Sequence, residues 1–378
     1  MAQDSAATSR KGTGFGMKAN ASSKGKPKRV VVTGASGNVG TSVVRALSEA
    51  PEVGSIVGIA RRRPEEWDLP KLEWATADLG DEDVNLDPLL SGADAVIHLA
   101  WLFQPARDPL TTWRTNVLGS LRLFDAVART GVPALVHASS VGAYSPGPKD
   151  REVDESWPTH GWPSAAYTRE KAYLERALDA FGQAHQDVRV VRMRPAFLFK
   201  RDSASQQRRL FGGPFVPQRL VRPELIPVVP DLPGLRVQAV HTADAAQAYR
   251  LAALGDVRGA FNLATDPVLD GPMLADLLGA KLVRLPVWAI RGPLVAAWRL
   301  HLTPASPDLF DAVLHLPLMD STRARTELGW TPTHDAADAI TEFLHGMRDE
   351  AGMPTPPLAP RVPGGRLQEL RTGAGKRP

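Results

Sequence analysis

The chain has 378 residues, of which 43% are hydrophobic and 23% are charged, and it contains no cysteine. This length and composition allow a large globular core, and the lack of cysteine excludes disulfides, thiolate metal sites and cysteine nucleophiles. The most apolar helical stretch, 287–302, contains Arg291 and Arg299 and is too short to span a bilayer. No apolar signal-peptide region follows the basic start. We therefore expect a soluble, cytoplasmic protein with no membrane partner.

The formal net charge of +4 is concentrated at the two ends of the sequence. Residues 1–29 carry seven Lys/Arg and one Asp, whereas residues 350–378 carry five Lys/Arg and two Glu. The intervening part is therefore mildly acidic, which argues against a nucleic-acid-binding surface. Both ends are rich in small, Pro and basic residues, a composition typical of disordered tails. We expect disorder over 1–28 and 348–378 and no nucleic-acid partner.

Short β-branched runs alternate with helical segments through the first half of the chain. The predicted strands are RVVVT at 29–33, SIVGIA at 55–60, KLEWATA at 71–77, DAVIHLA at 94–100, PALVHAS at 133–139 and DVRVVRM at 187–193. Helices are predicted at 39–48, at 110–130 and from 164 onward. This alternation predicts the α/β class, with a doubly wound parallel sheet of the Rossmann type.

The sequence TGASGNVG at 33–40 lies directly after the first predicted strand and directly before the first helix. Its glycines, Gly34, Gly37 and Gly40, have the spacing G-x-x-G-x-x-G. Glycine permits a sharp turn and a close approach of a pyrophosphate, and the helix N-terminus presents N–H groups to the anion. The motif therefore predicts a dinucleotide-binding turn.

The end of the second predicted strand bears on the choice of dinucleotide. NAD-preferring sites usually place a carboxylate there for the ribose 2′-hydroxyl. This chain has IARRRP instead, with Arg61 and Arg62 directly after Ala60. Guanidinium groups suit a 2′-phosphate, so we expect NADP to be preferred, with NAD as the alternative.

Tyr167 and Lys171 lie one turn apart in the helix predicted for SAAYTREKAYLER at 164–176. Side chains at i and i+4 share a helical face. An ammonium beside a phenol favours the phenolate and so lowers the pKa of the tyrosine toward working pH. The spacing also occurs by chance in ordinary helices, so the other motifs must supply the context.

The ordered set of motifs resembles the extended short-chain dehydrogenase/reductases of the NAD-dependent epimerase/dehydratase family, from about Arg29 to about Met347. The further motifs that carry the resemblance are ADL at 77–79, HLAW at 98–101, NVLG at 116–119, HASSVGAY at 137–144, RMRPAFLF at 192–199, VHTADAAQA at 240–248 and LGWTP at 328–332.

The resemblance implies roles for particular residues. Tyr167 is then the acid/base, and Lys171 lowers its pKa and binds the nicotinamide ribose. Ser140 stabilises charge on the substrate oxygen, and Asn116 has a structural and proton-relay role. Cofactor contacts are implied at Gly34, Ser36, Gly37, Asn38, Val39, Gly40, Arg61, Arg62, Asp78, Leu79, Leu99, Ala100, Trp101, Asn116, Ala138, Tyr167, Lys171, Arg194 and Pro195.

The resemblance, together with the end of the regular strand–helix alternation after Arg194, suggests the domain organisation. We expect an NAD(P)-binding Rossmann domain at 29–195 and a smaller C-terminal substrate-binding lobe at 196–347. Some segments of this lobe should return to the first domain, and GAFNLA at 259–264 is a candidate for one more strand of the main sheet. The family also implies a homodimer formed through the helices at 110–130 and 164–181.

Departures from the family pattern bear on the substrate. Val141 and Gly142 follow Ser140 where nucleotide-sugar dehydratases carry an acidic pair, which argues against elimination of water. Phe197 replaces the asparagine of R-x-x-N, which weakens the nucleotide-sugar interpretation. Other phosphate anchors could come from Arg208, Arg209 or Arg222, although a surface role is favoured for them.

Large apolar residues are the other departure. Trp101, Leu102 and Phe103 could shape a pocket for a less polar substrate or could equally be core packing. Trp288 and Trp298 lie on an apolar face of a predicted helix, a pattern more typical of buried packing.

The histidines give no metal signal in the sequence. His98, His137 and His241 lie on or beside predicted strands, where core roles are favoured over metal binding. Asp244 is expected to cap the helix that follows it.

The leading hypothesis is an NAD(P)-dependent oxidoreductase that transfers hydride at a secondary alcohol or carbonyl of a small-molecule substrate. One alternative is a nucleotide-sugar epimerase with tightly held NAD. An alternative of another class is a non-catalytic regulator that senses NADP(H), against which the presence of Ser140, Tyr167, Lys171 and Asn116 argues.

Overall fold

The first strand shows how the sequence builds the centre of the molecule. The computed structural model describes residues 26–216 and 225–361. Val30 and Val32 face one hydrophobic core and Val31 faces another, since successive side chains of a strand point to opposite faces. A strand buried on both sides is typical of a parallel sheet covered by helices on both faces.

The strands are β1 (Lys28–Thr33), β2 (Val53–Ala60), β3 (Leu72–Thr76), β4 (Ala95–His98), β5 (Ala134–Ala138), β6 (Glu152–Val153), β7 (Arg189–Pro195), β8 (Phe197–Phe199), β9 (Val228–Asp231), β10 (Arg236–His241), β11 (Gly259–Leu263), β12 (Thr265–Asp270), β13 (Lys281–Arg284) and β14 (Leu318–Met319). The helices are α1 (Asn38–Glu49), α2 (Asp87–Leu90), α3 (Pro109–Trp113), α4 (Gly119–Arg129), α5 (Ala166–Ala184), α6 (Ala204–Gln207), α7 (Thr242–Leu254), α8 (Gly271–Leu278), α9 (Val287–Arg299), α10 (Pro307–His315), α11 (Thr322–Thr326) and α12 (Ala336–Arg348).

The central sheet has seven parallel strands in the order β11-β7-β5-β4-β1-β2-β3. This confirms the predicted doubly wound Rossmann sheet, and each predicted strand is present within two residues of its expected bounds. The candidate strand at 259–264 is also present, as the edge strand β11. The strand order reverses between β1 and β4, so the carboxyl ends of these strands open a crevice where such sheets bind ligands.

The helices cover the two faces of this sheet. On one face, Leu47 of α1 and Tyr249 of α7 belong to the core that contains Val30. On the other face, Phe124 of α4 and Leu174 of α5 belong to the core that contains Val31. A π-helical turn, Arg114–Leu118, joins α3 to α4.

Small sheets form beyond the central sheet. Strand β10 pairs with β8 in parallel and with β12 in antiparallel, while β13 pairs with β9 and β14 with β6. These strands lie after residue 195, apart from β6. The chain after residue 195 also contains α9, in which no residue is buried, and Trp288 is 75% exposed. The expected buried packing of Trp288 is therefore wrong, because α9 has one face open to solvent.

The chain remains ordered beyond α12. Met353, Thr355 and Leu358 are buried, and Thr355 Oγ1 donates a hydrogen bond to the Ser36 carbonyl at 2.9 Å. Disorder expected from residue 348 is therefore wrong for 349–361, because apolar residues in this Pro-rich stretch find a partner surface. The remainder of the two predicted tails, 1–25 and 362–378, lies outside the described residues.

Candidate functional site

The turn between β1 and α1 leaves no room for side chains at two of its glycines. Gly34 has a φ of +69°, and a Cβ there would lie 2.7 Å from the backbone N of Ala100. A Cβ at Gly40 would lie 2.1 Å from the Gly34 carbonyl oxygen. Gly37 caps α1 without a side-chain hydrogen bond. The first turn of α1 therefore offers backbone N–H groups, a geometry that fits a diphosphate.

The other residues of the turn make contacts within the protein. Ser36 is buried, and its carbonyl oxygen is the acceptor for Thr355. The Asn38 amide donates to the Leu198 carbonyl at 3.5 Å, and Val39 packs against the hydrophobic core. These contacts therefore fix the turn.

Neighbouring strands bring further predicted cofactor residues to the same edge of the sheet. Leu99 and Ala100 follow β4, and their N–H groups donate to Thr33 O at 3.2 Å and Thr33 Oγ1 at 3.3 Å. Ala138 ends β5 and Pro195 ends β7. Since these strands are parallel, their carboxyl ends form one side of the crevice.

The residues predicted to contact the adenosine lie at the ends of β2 and β3. Arg61 and Arg62 are exposed directly after β2. After β3, Asp78 Oδ1 accepts a hydrogen bond from the Gly80 N–H at 2.9 Å, and Leu79 is buried. This part of the crevice therefore presents two cationic side chains to solvent.

Ser140, Tyr167 and Lys171 come together beyond the end of β5. Ser140 is buried, and its Oγ accepts a hydrogen bond from the Gly142 N–H at 3.0 Å. Tyr167 lies in the first turn of α5, with Lys171 one turn further along. Lys171 Nζ donates to the Ala138 carbonyl at 2.6 Å.

Aromatic rings enclose this group. The Trp101 ring centroid lies 3.4 Å from Lys171 Nζ, and the same ring meets the Tyr167 ring edge-on at 5.7 Å. The Phe103 ring is stacked on the Tyr167 ring, with centroids 5.1 Å apart and planes 15° apart. Trp101 and Phe103 are thus part of the candidate site.

Burial governs the titration of both groups. It lowers the pKa of Lys171 to about 7 and raises the pKa of Tyr167 to about 12. Ser140 acts in the opposite direction on the pKa of Tyr167, but burial has the larger effect. The Lys171 ammonium is directed at the Ala138 carbonyl and the Trp101 ring. Its expected lowering of the pKa of Tyr167 stays a prediction.

Asn116 lies in the π-helical turn Arg114–Leu118 and is buried. Its Nδ2 donates to the Leu102 carbonyl at 2.9 Å and to Glu170 Oε2 at 2.7 Å, and its Oδ1 accepts from the Leu102 N–H at 2.7 Å. Thr112 Oγ1 donates to Glu170 Oε1 at 2.6 Å. Asn116 therefore connects the loop after β4 to α5.

A buried polar chain leads from the glycine turn to the same asparagine. Thr33 Oγ1 lies 2.7 Å from His98 Nδ1, and His98 Nε2 lies 2.8 Å from Ser120 Oγ. Ser120 Oγ donates to the Asn116 carbonyl. Burial lowers the pKa of His98 to about 3, so the ring is neutral and serves as a link in this chain.

Arg194 has contacts that differ from the predicted cofactor contact. Its Nε and Nη2 each lie 2.9 Å from a carboxylate oxygen of Glu175, and its Nη1 donates to Tyr144 Oη and to the Glu155 carbonyl. Arg194, Glu175 and Tyr144 are buried, and the paired guanidinium outweighs the effect of burial and holds the pKa of Glu175 below its usual range. The Arg194 side chain thus ties β7 to α5.

Sequence reasoning missed Glu170 and Glu175. Both are buried, and both lie on the Tyr167 helix. Their partners are 54 or more residues away for Glu170 and 17 to 36 residues away for Glu175. A buried carboxylate with distant partners has no local sequence signal.

A second polar cluster lies at the start of α7. His241 caps this helix, with Nδ1 accepting from the Ala243 N–H at 3.3 Å. Asp244 accepts from the Thr333 N–H at 3.0 Å and from the His334 N–H at 2.9 Å, so it holds the two residues that directly follow LGWTP and does not cap α7. Ligand atoms of His241, Asp244 and His334 lie within 4.8 Å of one another, which their sequence spacing does not indicate.

The fold and this geometry define a dinucleotide-binding α/β protein of the Rossmann type, with a serine, a tyrosine and a lysine beside the crevice. The sequence profile of the NAD dependent epimerase/dehydratase family matches residues 30–263. The chain belongs to this family. In the described ranges 26–216 and 225–361, each helix is too short or too polar to cross a lipid bilayer.

Matches to three relatives cover between 42% and 85% of this chain. An uncharacterised protein of Mycobacterium tuberculosis is 24% identical over 330 residues, which cover 85% of this chain and 84% of that protein. A dTDP-glucose 4,6-dehydratase of Streptomyces antibioticus is 30% identical over 183 residues, 43% of this chain and 52% of the relative. A candidate dihydroflavonol 4-reductase of Synechocystis is 30% identical over 165 residues, 42% and 47% of the two chains.

A solved structure shares the fold. The UDP-glucose 4-epimerase of Thermus thermophilus, in complex with NAD, is similar with a TM-score of 0.62. The match covers 85% of this chain and 99% of that one at 20% identity.

Proposed function

We propose that this protein is an NAD(P)-dependent oxidoreductase that interconverts a carbonyl and a secondary alcohol. The observation that carries the proposal is the group of Ser140, Tyr167 and Lys171 at the carboxyl ends of the strands that bear the glycine turn. A proton donor beside a dinucleotide crevice is the arrangement that this chemistry needs.

The chain offers groups suited to each part of the nucleotide. The turn at Gly34 and Gly37 and the start of α1 would hold the diphosphate. Arg61 and Arg62 would bind a 2′-phosphate, which supports a preference for NADP. When bound, the nicotinamide gives or accepts the hydride.

Tyr167 transfers the proton, and Ser140 binds the substrate oxygen. In the reductive direction, Tyr167 Oη gives its proton to the carbonyl oxygen as the carbonyl carbon becomes the alcohol carbon. Ser140 Oγ donates a hydrogen bond to the same oxygen and stabilises the charge that develops on it. Since burial raises the pKa of Tyr167 to about 12, the phenol is protonated and ready to act as the acid at neutral pH.

Lys171 and Asn116 support this proton donor. The Lys171 ammonium places positive charge one turn along α5 and would bind the nicotinamide ribose. Asn116 holds the loop after β4 in place through Leu102. Val141 and Gly142, after Ser140, supply no carboxylate for elimination of water, which disfavours dehydratase chemistry.

The Tyr167→Phe variant tests this function. It should bind nucleotide with wild-type affinity and lose at least ~100-fold in the rate of hydride transfer, because only the proton donor is removed. Tyr173→Phe is the matched control, since Tyr173 lies on the same helix and is 44% exposed. Equal loss of activity in both variants, or full activity of Tyr167→Phe, would contradict the proposal.

The form of the bound nucleotide separates this function from the alternatives. Exchangeable nucleotide that is oxidised or reduced in step with substrate supports the oxidoreductase. Tightly held NAD with no net turnover would indicate a sugar epimerase. Nucleotide binding without turnover of any carbonyl compound or sugar nucleotide would indicate a sensor.

We also propose that the protein is a homodimer. Leu110 on α3, Leu118 in the π-helical turn and Tyr173 on α5 are large apolar side chains exposed by 74%, 37% and 44%. Burying them against a second copy would remove this apolar area from water. Sedimentation should show a dimer at micromolar concentration, and Leu110→Asp should convert it to a monomer.

A further inference from the structure

The side of the site around Tyr167 is formed by hydrocarbon. Phe103 stacks on the Tyr167 ring, and Phe211 meets Phe103 edge-on with centroids 5.6 Å apart and planes 76° apart. Phe103 and Phe211 are only half-buried. The surface next to the reacting hydroxyl is therefore a wall of two aromatic rings, which favours a flat apolar ligand over a hydroxylated sugar.

This wall is held in place. Gln104 is buried, and its Nε2 donates to the Leu210 carbonyl at 2.8 Å and to the Pro304 carbonyl at 3.2 Å. The Arg107 guanidinium lies 3.6 Å from the centroid of the Trp298 ring. The loop that carries Phe103 is thus anchored to the segment of Leu210 and to the segment of Trp298 and Pro304, so the wall is preformed.

The side around Ser140 is also apolar. Val141 directly follows Ser140 and packs with Ala196, and Phe197 packs against this cluster. In the sequence, Phe197 replaces the asparagine of the R-x-x-N pattern that the family resemblance implies. The small crevice beside it is lined by Val141, Ala196, Phe197, Val237, Gln238, Leu316 and Pro317. Apolar residues therefore directly follow Ser140 along the chain, in addition to the rings beside Tyr167.

The cations of residues 200–216, the described part of the segment that carries Phe211, are engaged in protein contacts, whereas Arg222 lies outside the described residues. Lys200 donates to the Asn38 carbonyl at 2.9 Å, and Arg201 pairs with Asp349 at 3.0 Å. Arg208 donates to the Gly213 carbonyl at 3.0 Å. Arg209 donates to the Pro357 and Ala359 carbonyls, each at 2.8 Å. A sugar-linked diphosphate would have to compete with these contacts.

We propose that the substrate is an apolar ring ketone, or the corresponding secondary alcohol, whose ring skeleton packs against Phe103 while its oxygen lies between Ser140 and Tyr167. This inference rests on the proposed oxidoreductase function and names its substrate class. Phe103 is then a specificity-determining residue, and nucleotide sugars are poor ligands.

Calorimetric titration of the protein loaded with oxidised nucleotide, which cannot reduce a ketone, tests the substrate class. The probes are cyclohexanone, 2-tetralone and UDP-glucose. Because affinity for an apolar wall grows with the buried hydrocarbon area, 2-tetralone should bind at least ~10-fold more tightly than cyclohexanone. UDP-glucose should bind more weakly than 2-tetralone.

Variants of Phe103 and Phe215 show which side chain causes the preference for 2-tetralone over cyclohexanone. Phe103→Ala should remove the preference for 2-tetralone over cyclohexanone and leave nucleotide affinity unchanged. Phe103→Leu, which retains hydrocarbon without a ring, should keep part of the preference and guards against a folding defect in the alanine variant. Phe215→Ala is the control, since Phe215 is 55% exposed, and it should behave as wild type.

The outcomes separate this inference from the function on which it rests. Tighter binding of UDP-glucose, equal affinity for the two ketones, or an unchanged preference in Phe103→Ala would overturn the apolar substrate class and leave the oxidoreductase function standing. Failure of the protein to bind either NADP or NAD would overturn the proposed function itself, and this inference with it.

Discussion

The ammonium of Lys171 lies 3.4 Å from the centroid of the Trp101 ring, and its hydrogen-bond partner is the carbonyl of Ala138. The charge is thus held by a π face and a peptide dipole inside the protein. Glu170 and Glu175 raise its pKa, but burial has the larger effect and lowers it to about 7. The site therefore contains a lysine that is costly to keep charged.

Replacing Lys171 by Met should stabilise the nucleotide-free protein and abolish hydride transfer. The folded-state pKa of about 7 lies below the value of 10.5 for a free lysine, so the unfolded chain binds more protons between these pH values. The destabilisation caused by Lys171 is complete below pH 7 and fades as the pH rises toward 10.5. The gain in Tm of Lys171→Met should consequently be larger at pH 6 than at pH 9.

Lys281→Met serves as the control for this measurement, since Lys281 is exposed. Its Tm should follow that of the wild type at both pH values. A gain for Lys171→Met that is the same at pH 6 and pH 9 would show that the pKa of Lys171 is not lowered by burial.

Gly142→Ala should impair activity with little effect on nucleotide affinity. A Cβ at Gly142 would lie 2.8 Å from Tyr167 Cε1, so the tyrosine ring must shift away from Gly142. A misplaced proton donor should lower kcat by ~10-fold or more. Gly182→Ala is the matched control on α5, where the nearest atom lies 4.0 Å away, and it should retain activity. Wild-type kcat in Gly142→Ala would contradict this geometry.

Glu170→Ala should be more damaging than Glu170→Gln. The carboxylate accepts hydrogen bonds from Asn116 Nδ2 and Thr112 Oγ1, and alanine leaves both buried donors without this acceptor, at a cost of about 1–3 kcal/mol. Glutamine keeps one acceptor for Asn116 and can donate to the Thr112 hydroxyl. Thermal unfolding and kcat should both fall in the order wild type, Gln, Ala. Equal Tm values for the two variants would show that these contacts add no stability.

The central sheet was predictable because each of its strands has a local signal. RVVVT is a run of β-branched residues, and glycine spacing marks the turn after it. The rules for parallel crossovers then restrict the order of the strands. The Tyr167–Lys171 pair was predictable for a similar reason, since its spacing and its place in an ordered set of motifs are visible along the chain.

The interior of the site was not predictable in the same way. Glu170 finds its partners on the π-helical turn and α3, and Phe103 stacks on a residue 64 positions away, so neither contact has a local pattern. The prediction of disorder for 349–361 was wrong for a different reason. Its Pro-rich composition resembles a disordered tail, whereas the burial of Leu358 depends on a surface formed elsewhere in the chain.

Substitution of Arg61 and Arg62 by Ser should reverse the proposed nucleotide preference. Both side chains are exposed at the end of β2, where a guanidinium can reach a 2′-phosphate. The double variant should lose at least ~10-fold in affinity for NADP and little for NAD, measured by titration of the stripped protein. Arg284→Ser is a control, since its side chain is 89% exposed and pairs with Asp231. Equal losses for both nucleotides would contradict a 2′-phosphate contact.

Thr355→Val should weaken nucleotide binding from a position far along the chain. Thr355 Oγ1 donates to the carbonyl of Ser36, which lies inside the glycine turn, and Thr355 is buried. Valine has nearly the same shape but leaves that carbonyl without its donor, at a cost of about 1 kcal/mol. The turn should then be less firmly held, and nucleotide affinity should fall by ~2- to 5-fold.

The control for Thr355 is Thr326→Val, because the Thr326 hydroxyl donates to the Thr322 carbonyl on an exposed helix and has no link to the turn. Both variants should show a small loss of Tm, about 1–2 °C. Only Thr355→Val should lose nucleotide affinity. If both variants keep wild-type affinity, the segment 349–361 stabilises the fold without shaping the nucleotide turn; a loss confined to Thr355→Val makes this segment part of the binding site.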